Sequence, residues 1–467
     1  MGIRERVRRG LAVAAGALLM VWPALLNRYP LLYPDSASYI GDGRPVARSL
    51  FVHRIADLAA MRSEIYSVVI FALHWDITLW PVVALNALLT SYVVWLAVRS
   101  IVPRQVVRSF LILIVLLSLF TSMSWYVSLV MPDIFGALLY LCIYLLVFAR
   151  ETLSRTERWN LAPIVWWSVA AHSTHLLLSM ELCALLALLF AFRWQPIARR
   201  GRALVEVMAL IVLAAGTLLG LHAYLYGRPS LTGNHPPYLM ARIVSDGPGR
   251  WYLQQHCATL NWAVCDRVHP MPVDEDDFLW TDGGAWAGAD GDTQERMLQE
   301  EMPFVRATIR AYPGAQFSKS LANFGHQLID FGVNDFDNNT WMDGALQQEM
   351  PASHVLYLRS LQAQSILPTA FFTAVQQVTV VLAMIALVVL LPLAWRQPML
   401  AGLSVVIVSM VIANAFITAV LSSIDSRFQA RVVWLVPLLA GLIAMDLLER
   451  RKRRREGGAA AARVALP

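Results

Sequence analysis

The chain has 467 residues, of which 57% are hydrophobic and only 15% charged, with a mean hydropathy of +0.53. Soluble globular proteins carry about 25% charged residues, so the composition excludes a soluble domain and points to an all-α polytopic membrane protein. The net charge of +6 is segregated: residues 224–366 hold 17 acidic and 9 basic side chains, a balance of −8, which leaves +14 elsewhere.

That positive charge lies in short connections, where arginine orients a membrane protein, so the basic pI of 9.2 speaks for topology and against nucleic acid. Of the 38 basic residues only Lys319 and Lys452 are lysine, a bias expected of a GC-rich bacterial genome. Helix is the structure to expect in each apolar run. Unpaired backbone groups are too costly in hydrocarbon, and about 20 helical residues cross a bilayer.

Arg4, Arg6, Arg8 and Arg9 precede the first run, 11–26, and hold the N-terminus in the cytoplasm. This run is longer than a signal-peptide core, contains Trp22-Pro23 and lacks a clear small-x-small site, so it reads as a retained span. An outer loop follows over 27–76. Span 2, near 77–97, returns to Arg99, Arg104 and Arg108. Spans 3 and 4, near 110–122 and 134–148, bracket an outer turn at 124–133 and end at Arg150, Arg155 and Arg158.

The 32 nearly uncharged residues 161–192 are too long for one span and short for two. A tight helical hairpin is expected there, spans 5 and 6, with its outer tip at Ala171-His172-Ser173-Thr174-His175. Span 7, near 204–224, closes an N-terminal module over 1–224. The hydrophilic segment 225–366 is expected to be a periplasmic α or α+β insertion. Cys257 and Cys265 in it fit a disulfide in an oxidising compartment, whereas Cys142 and Cys183 fall inside spans. Spans 8, 9 and 10 (369–391, 401–420 and 432–448) make a C-terminal module over 367–449, ahead of a basic tail, 450–467, expected to be disordered. Ten spans with both termini cytoplasmic put every arginine-rich short loop on one side of the membrane.

Four polar clusters then share the outer face. They are Asp35 after span 1, Asp133 in Met131-Pro132-Asp133 before span 4, His172 and His175 between spans 5 and 6, and Asp425, Arg427 and Arg431 before span 10. Each has a plain structural use. Asp35 fits an N-cap, Pro132-Asp133 a helix start, the histidines caps of the hairpin, and the two arginines snorkelling groups on one helix face. Together they offer a base, metal ligands and guanidinium forks suited to phosphate. A divalent ion on the carboxylates would need further oxygens.

An Asp in the first outer loop, a second acid at the next outer turn and basic residues before the last span resemble the GT-C superfamily of integral membrane glycosyltransferases, such as protein O-mannosyltransferases and lipid A aminoarabinose transferases. The stretch Glu64-Ile65-Tyr66-Ser67-Val68-Val69-Ile70-Phe71-Ala72-Leu73 is similar to their approach to span 2. Arg427-Phe428-Gln429-Ala430-Arg431…Pro437 resembles their Arg-aromatic…Pro ending. The resemblance covers 10–220 and 365–450. It departs at Ser36, where many relatives have a second acid, and in carrying the soluble domain between spans 7 and 8.

The resemblance implies transfer of a sugar from a polyprenyl-phosphate donor to an envelope glycan, lipid or protein acceptor, at the periplasmic face of the bacterial inner membrane. Asp35 would be the general base and Asp133 its catalytic companion, with Arg427 and Arg431 on the leaving phosphate. His172 or His175, with Asp133, would hold a divalent ion (Mg²⁺ or Mn²⁺) or orient Asp35. Single displacement would invert the sugar.

Two other readings remain open, besides that of a catalytically silent subunit of an envelope assembly. An O-antigen ligase or polymerase-like enzyme would use His235, Arg242, Arg250 and His256 of the long loop. A non-enzymatic polyprenyl-lipid transporter would use mid-span charges, for which Glu181 and Glu206 are the candidates. In the insertion, Trp251, Tyr252, Trp262, Trp280, Trp286 and Trp341 suit either sugar stacking or the domain's own core. The run Asp274-Glu275-Asp276-Asp277 reads as a solvated loop, since it lacks the spaced ligands and Gly of an EF-hand.

Overall fold

The computed structural model describes residues 3–52, 62–338 and 340–464, with side chains described for 4–52, 62–338 and 340–456. Among them regular structure is helical; the only β pairing is an isolated bridge, Leu31 to Leu129. In chain order the helices are α1 (Ile3–Met20), α2 (Trp22–Asn27), α3 (Pro34–Val52), α4 (Glu64–His74), α5 (Trp80–Ile101), α6 (Val106–Phe120), α7 (Met123–Ser128), α8 (Ile134–Val147), α9 (Arg155–Ala170), α10 (Ser173–Ala191) and α11 (Gly201–Tyr226). The insertion contributes α12 (Tyr238–Asp246), α13 (Pro248–His256), α14 (Glu275–Leu279), α15 (Gly291–Ala311), α16 (Pro313–Ile329), α17 (Thr340–Glu349) and α18 (Pro351–Tyr357). The chain ends with α19 (Thr369–Ala394), α20 (Pro398–Leu421), α21 (Ser426–Val433) and α22 (Leu435–Val464).

Six helical runs are long and apolar enough to cross a membrane: α5, α10, α11, α19, α20 and the run Ser426–Glu456 formed by α21 and α22. The chain is a multi-pass membrane protein. The other four expected spans coincide with α1–α2, α6, α8 and α9, which are shorter or begin with charged residues. All fourteen residues of α8 are buried, as expected for a helix apolar all round its circumference. It is the central post of the bundle. Ser154 and Glu157 form a capping box that starts α9. The hairpin tip is Ala171 and His172 alone. Helix α22 continues to Val464, so the tail that composition marks as disordered is helical over most of its length.

Side-chain amides hold the segment between α2 and α3. Gln362 donates to Leu32 O at 2.7 Å and accepts from Leu32 N at 3.1 Å. Asn27 Oδ1 accepts from Gln362 N at 2.8 Å. The Leu31–Leu129 bridge, with both N···O distances at 3.0 Å, lashes this segment to the approach to α8. It thereby brings the start of α3, which carries Asp35, towards Asp133 at the start of α8.

The insertion divides in two. Helices α12–α15 enclose a core of their own, with Met240, Ile243, Val244, Leu253, Phe278 and Phe304 at its centre. Cys257 and Cys265 are joined across it, with S–S 2.07 Å. Trp262 and Trp286 belong to this core, whereas Trp251, Trp280 and Trp341 keep exposed faces. Beyond α16, by contrast, Phe331, Val333, Phe336, Met342, Leu346 and Tyr357 join the core of the membrane bundle. The single domain expected over 225–366 is therefore a small helical domain followed by a strap built into the bundle, and the α+β alternative falls away among the described residues. The acidic run is corrected too. Asp274 caps α14 by accepting from Asp277 N at 2.8 Å, and Glu275 pairs with Arg242 at 2.8 Å.

Gly43 sets the approach of α3 to α4: an added Cβ would lie 2.7 Å from both Ser67 O and Phe71 Cβ. Gly43→Ala is expected to cost about 1–3 kcal/mol, as overpacking does, and to lower the thermal unfolding midpoint in detergent. Gly216, with open space around it, is the control. Equal midpoints for Gly43→Ala and Gly216→Ala would refute the close packing.

Candidate functional site

Helix α21 starts at Asp425, whose carboxylate accepts from Arg427 N at 2.9 Å. This cap aims two guanidiniums one turn apart, Arg427 and Arg431, into the bundle, and both are buried. They are not snorkelling groups. Arg427 Nη1 lies 3.4 Å from Asp35 Oδ2, and its Nε lies 3.6 Å from Asp425 Oδ2. The Tyr33 ring stacks on its guanidinium at 3.8 Å, while the Tyr33 hydroxyl donates to Asp425 Oδ2 at 3.1 Å.

Asp35 is held from its other side by Arg62, whose Nη2 donates to Oδ1 at 2.5 Å. Arg62 Nη1 donates to the Tyr238 hydroxyl of α12 at 2.7 Å, and Trp280 lies 5.5 Å from the guanidinium. The insertion thus touches the site. Burial alone would raise the pKa of Asp35, but Arg62 and then Arg427 outweigh it and hold the carboxyl below its ordinary value. Asp35 does not cap α3. Its neighbour Ser36 does local work instead, accepting from Tyr33 N at 3.0 Å.

Deeper in, Arg431 Nη1 lies 3.4 Å from Asp133 Oδ1, with each side chain only 1% exposed. Asn414 of α20 accepts from Arg431 Nη2 at 2.9 Å and donates to Phe428 O at 2.6 Å. Asp133 makes no side-chain cap on α8; its carboxylate is spent on Arg431, and its Oδ2 is buried without a hydrogen-bond partner among the described residues. His172 does cap α10, accepting from Thr174 N at 3.2 Å. Its pKa is well below the ordinary value because of burial and then the neighbouring His175 and arginines.

The His172 and His175 rings are 4.9 Å apart. His175 Nδ1 faces Ser168 O at 2.8 Å, so Nδ1 carries the proton and Nε2 is a bare acceptor, buried and without a partner among the described residues. Gly136 of α8 makes room for it, since a Cβ there would come within 3.0 Å of Nε2. Two open acceptors, Asp133 Oδ2 and His175 Nε2, do not make a nest for a divalent ion, which wants six or more donors. Among the described residues no three His, Cys, Asp or Glu side chains converge in a way that could hold a metal ion.

The sequence-predicted residues therefore sort into an outer network, Asp35 with Arg427, and an inner one, Asp133 with Arg431, with the histidines alongside. Helices α8, α10 and α21 all begin here, and their positive ends favour an anion. Sequence reasoning missed Tyr33, Arg62, Tyr238 and Asn414. None sits in a periodic pattern, and only the nearness of Tyr33 to Asp35 and of Arg62 to the Glu64 stretch hinted at them. Asp335 is a further member. It accepts from Ser426 Oγ at 2.6 Å, and burial followed by the nearby Asp425 raises its pKa to about 6.

Asp133→Leu leaves Arg431 buried without its counter-charge and is expected to cost about 3–5 kcal/mol. Adding Arg431→Met should recover most of that loss. Thermal unfolding in detergent reads both, and a double variant no more stable than Asp133→Leu would refute the coupling. No protein-family model, curated protein or solved structure matches the chain.

Proposed function

We propose that this chain is a GT-C-like glycosyltransferase of the bacterial inner membrane, moving a sugar from a polyprenyl-phosphate donor to an envelope glycan, lipid or protein at the periplasmic face. The observation that carries the reading is the contact between Asp35 and Arg427, 392 residues apart in sequence and 3.4 Å apart in space. It lies at one end of the bundle, beside a third arginine and three helix N-termini. The proposed topology is ten spans with both termini in the cytoplasm. Its support is the arginine-rich short loops and the Cys257–Cys265 disulfide, which suits an oxidising compartment. The disulfide belongs to the same insertion whose Tyr238 binds Arg62.

In the proposed reaction an acceptor hydroxyl attacks the anomeric carbon and forms the new glycosidic bond. The bond from that carbon to the phosphate oxygen breaks, and its electrons leave with the polyprenyl phosphate. Asp35 takes the acceptor proton. Arg427 and Arg62 meet the charge that develops on the phosphate. Arg431 is occupied by Asp133 and Asn414, so it and Asp133 orient α21 rather than touch the donor.

Between two guanidiniums Asp35 is a weak base. A phosphate bound by Arg62 and Arg427 would draw them away and raise the carboxyl pKa towards a useful value. Donor binding would thus switch the base on.

The ligase-like alternative draws less support. Arg242 is buried between Asp246 and Glu275, each at 2.8 Å. Arg250 donates to Pro272 O at 2.8 Å, His256 stacks on Tyr252 at 4.1 Å, and His235 Nδ1 faces Pro236 O at 2.8 Å. These residues hold the insertion together. Of the transporter candidates, Glu206 pairs with Arg150 and Arg202 near the start of α11. Glu181 hydrogen-bonds to Tyr140 and Ser409.

Purified protein in proteoliposomes with polyprenyl-phosphate sugars tests the reading. Asp35→Asn should lose transfer by about 10²–10⁴-fold, the usual worth of a general base, while losing less stability than Asp133→Leu, because Asp425 still faces Arg427. A wild-type rate in Asp35→Asn would overturn the base assignment. In Arg62→Gln the carboxyl regains a higher pKa, so the acidic limb of the pH–rate profile should move to higher pH. An unmoved limb would remove Asp35 as the titrating base. Absence of transfer from every such donor, with an unchanged lipid inventory in a deletion strain, would sink the proposal.

A further inference from the structure

Helix α16 carries an apolar stripe whose first half, Phe317 and Leu321, is exposed among the described residues, while Phe324 and Leu328 are half-buried. Phe317, Leu321, Phe324 and Leu328 recur at the i, i+4, i+7, i+11 spacing of one helix face. Phe317 is 72% exposed, Leu321 56%, and Ile329, beside the stripe, 72%. The flank of the helix is polar and turned to protein: Gln316 and Asn323 each donate to Asp246 at 2.7 Å, and Gln327 exchanges two hydrogen bonds of 2.9 Å with the Asp425 backbone. Lys319 and His326 lie on the opposite, exposed side.

The stripe continues a surface that already faces lipid. Phe324 meets Phe416 of α20 at 5.9 Å between ring centroids, and Phe416 is itself half exposed near the end of that membrane helix. At the other end the chain leaving α16 is bound to α19. Thr373 Oγ1 accepts from Val333 N at 2.9 Å, and Gln377 Nε2 donates to Phe331 O at 3.2 Å. Gln377 lies two turns inside α19, next to Val378, one of its exposed apolar residues. The C-terminal end of α16 is therefore fixed beside the terminal turns of two membrane helices, α19 and α20.

We infer that α16 is an interfacial helix whose Phe317–Leu321 face is buried in the outer leaflet of the bilayer, anchoring the insertion to the lipid surface beside Asp425. Its chemistry is that of a monotopic amphipathic helix, with apolar side chains in the acyl region and a polar flank turned to protein. The inference rests on the membrane helices and the proposed topology, and not on the proposed reaction.

The test uses the full chain with its native disulfide, whose buried Cys142 and Cys183 resist labelling. Phe317→Cys, Leu321→Cys and Lys319→Cys each carry bimane in vesicles, with either brominated acyl chains or aqueous iodide as quencher. Severalfold stronger bromolipid quenching at 317 and 321 than at 319, with iodide in the reverse order, is the expected result. Iodide quenching at 317 and 321 equal to that at 319 overturns the proposal. So does protection from both quenchers with cross-linking between copies through Leu321→Cys, which would make the face a contact between two chains. Leu321→Cys alone gives the same reading should Phe317→Cys fail to fold.

Discussion

A guanidinium withdrawn from water keeps its charge tolerable only beside a carboxylate and a full set of acceptors. Helix α21 carries two such groups one turn apart, and every other feature of the site answers to them. Arg431 requires Asp133 at the head of the central helix and Asn414 from α20. Arg427 requires Asp35 from the start of α3 and Asp425 from its own cap. Two ion contacts thus tie the last helices of the chain to α3 and to the core post α8.

The same constraint explains the apparatus that holds the early segment in place. Asp35 would be a poor partner if the stretch between α2 and α3 wandered, and that stretch is fastened by Gln362, Asn27 and the Leu31–Leu129 bridge. The insertion adds Tyr238, which binds Arg62, and Gln327, which binds the Asp425 backbone. A network assembled from five distant parts of the chain is built as positioning machinery is built, with first contacts fixed by a second set of hydrogen bonds. Arranged this way, Asp35 is clamped between two cations.

Much of the fold was legible in the sequence because hydropathy is a local property. The expected spans near 77–97, 204–224, 369–391 and 401–420 correspond to α5, α11, α19 and α20 within a few residues at each end. The tight hairpin over 161–192 is α9 and α10 around His172. The division of the insertion was not legible, because the aromatic residues of its α12–α15 core and those of the strap after α16 look alike in composition. Their sorting depends on which surface each meets. Nor did charge density reveal that Asp274 and Glu275 serve as a cap and an ion partner.

By itself the sequence determined that the chain is a helical, multi-pass membrane protein, that its basic residues lie in short connections, and that acids, histidines and arginines stand at matching helix ends. Only the tertiary structure decided which of them meet. It paired Asp35 with Arg427 and Asp133 with Arg431, left His172 as a cap, recruited Arg62, Tyr33 and Tyr238, and gave α16 its partly exposed apolar face. The reason is physical. Helix formation in hydrocarbon follows from backbone hydrogen bonding within a short run, whereas the partner of a buried charge can come from anywhere in the chain.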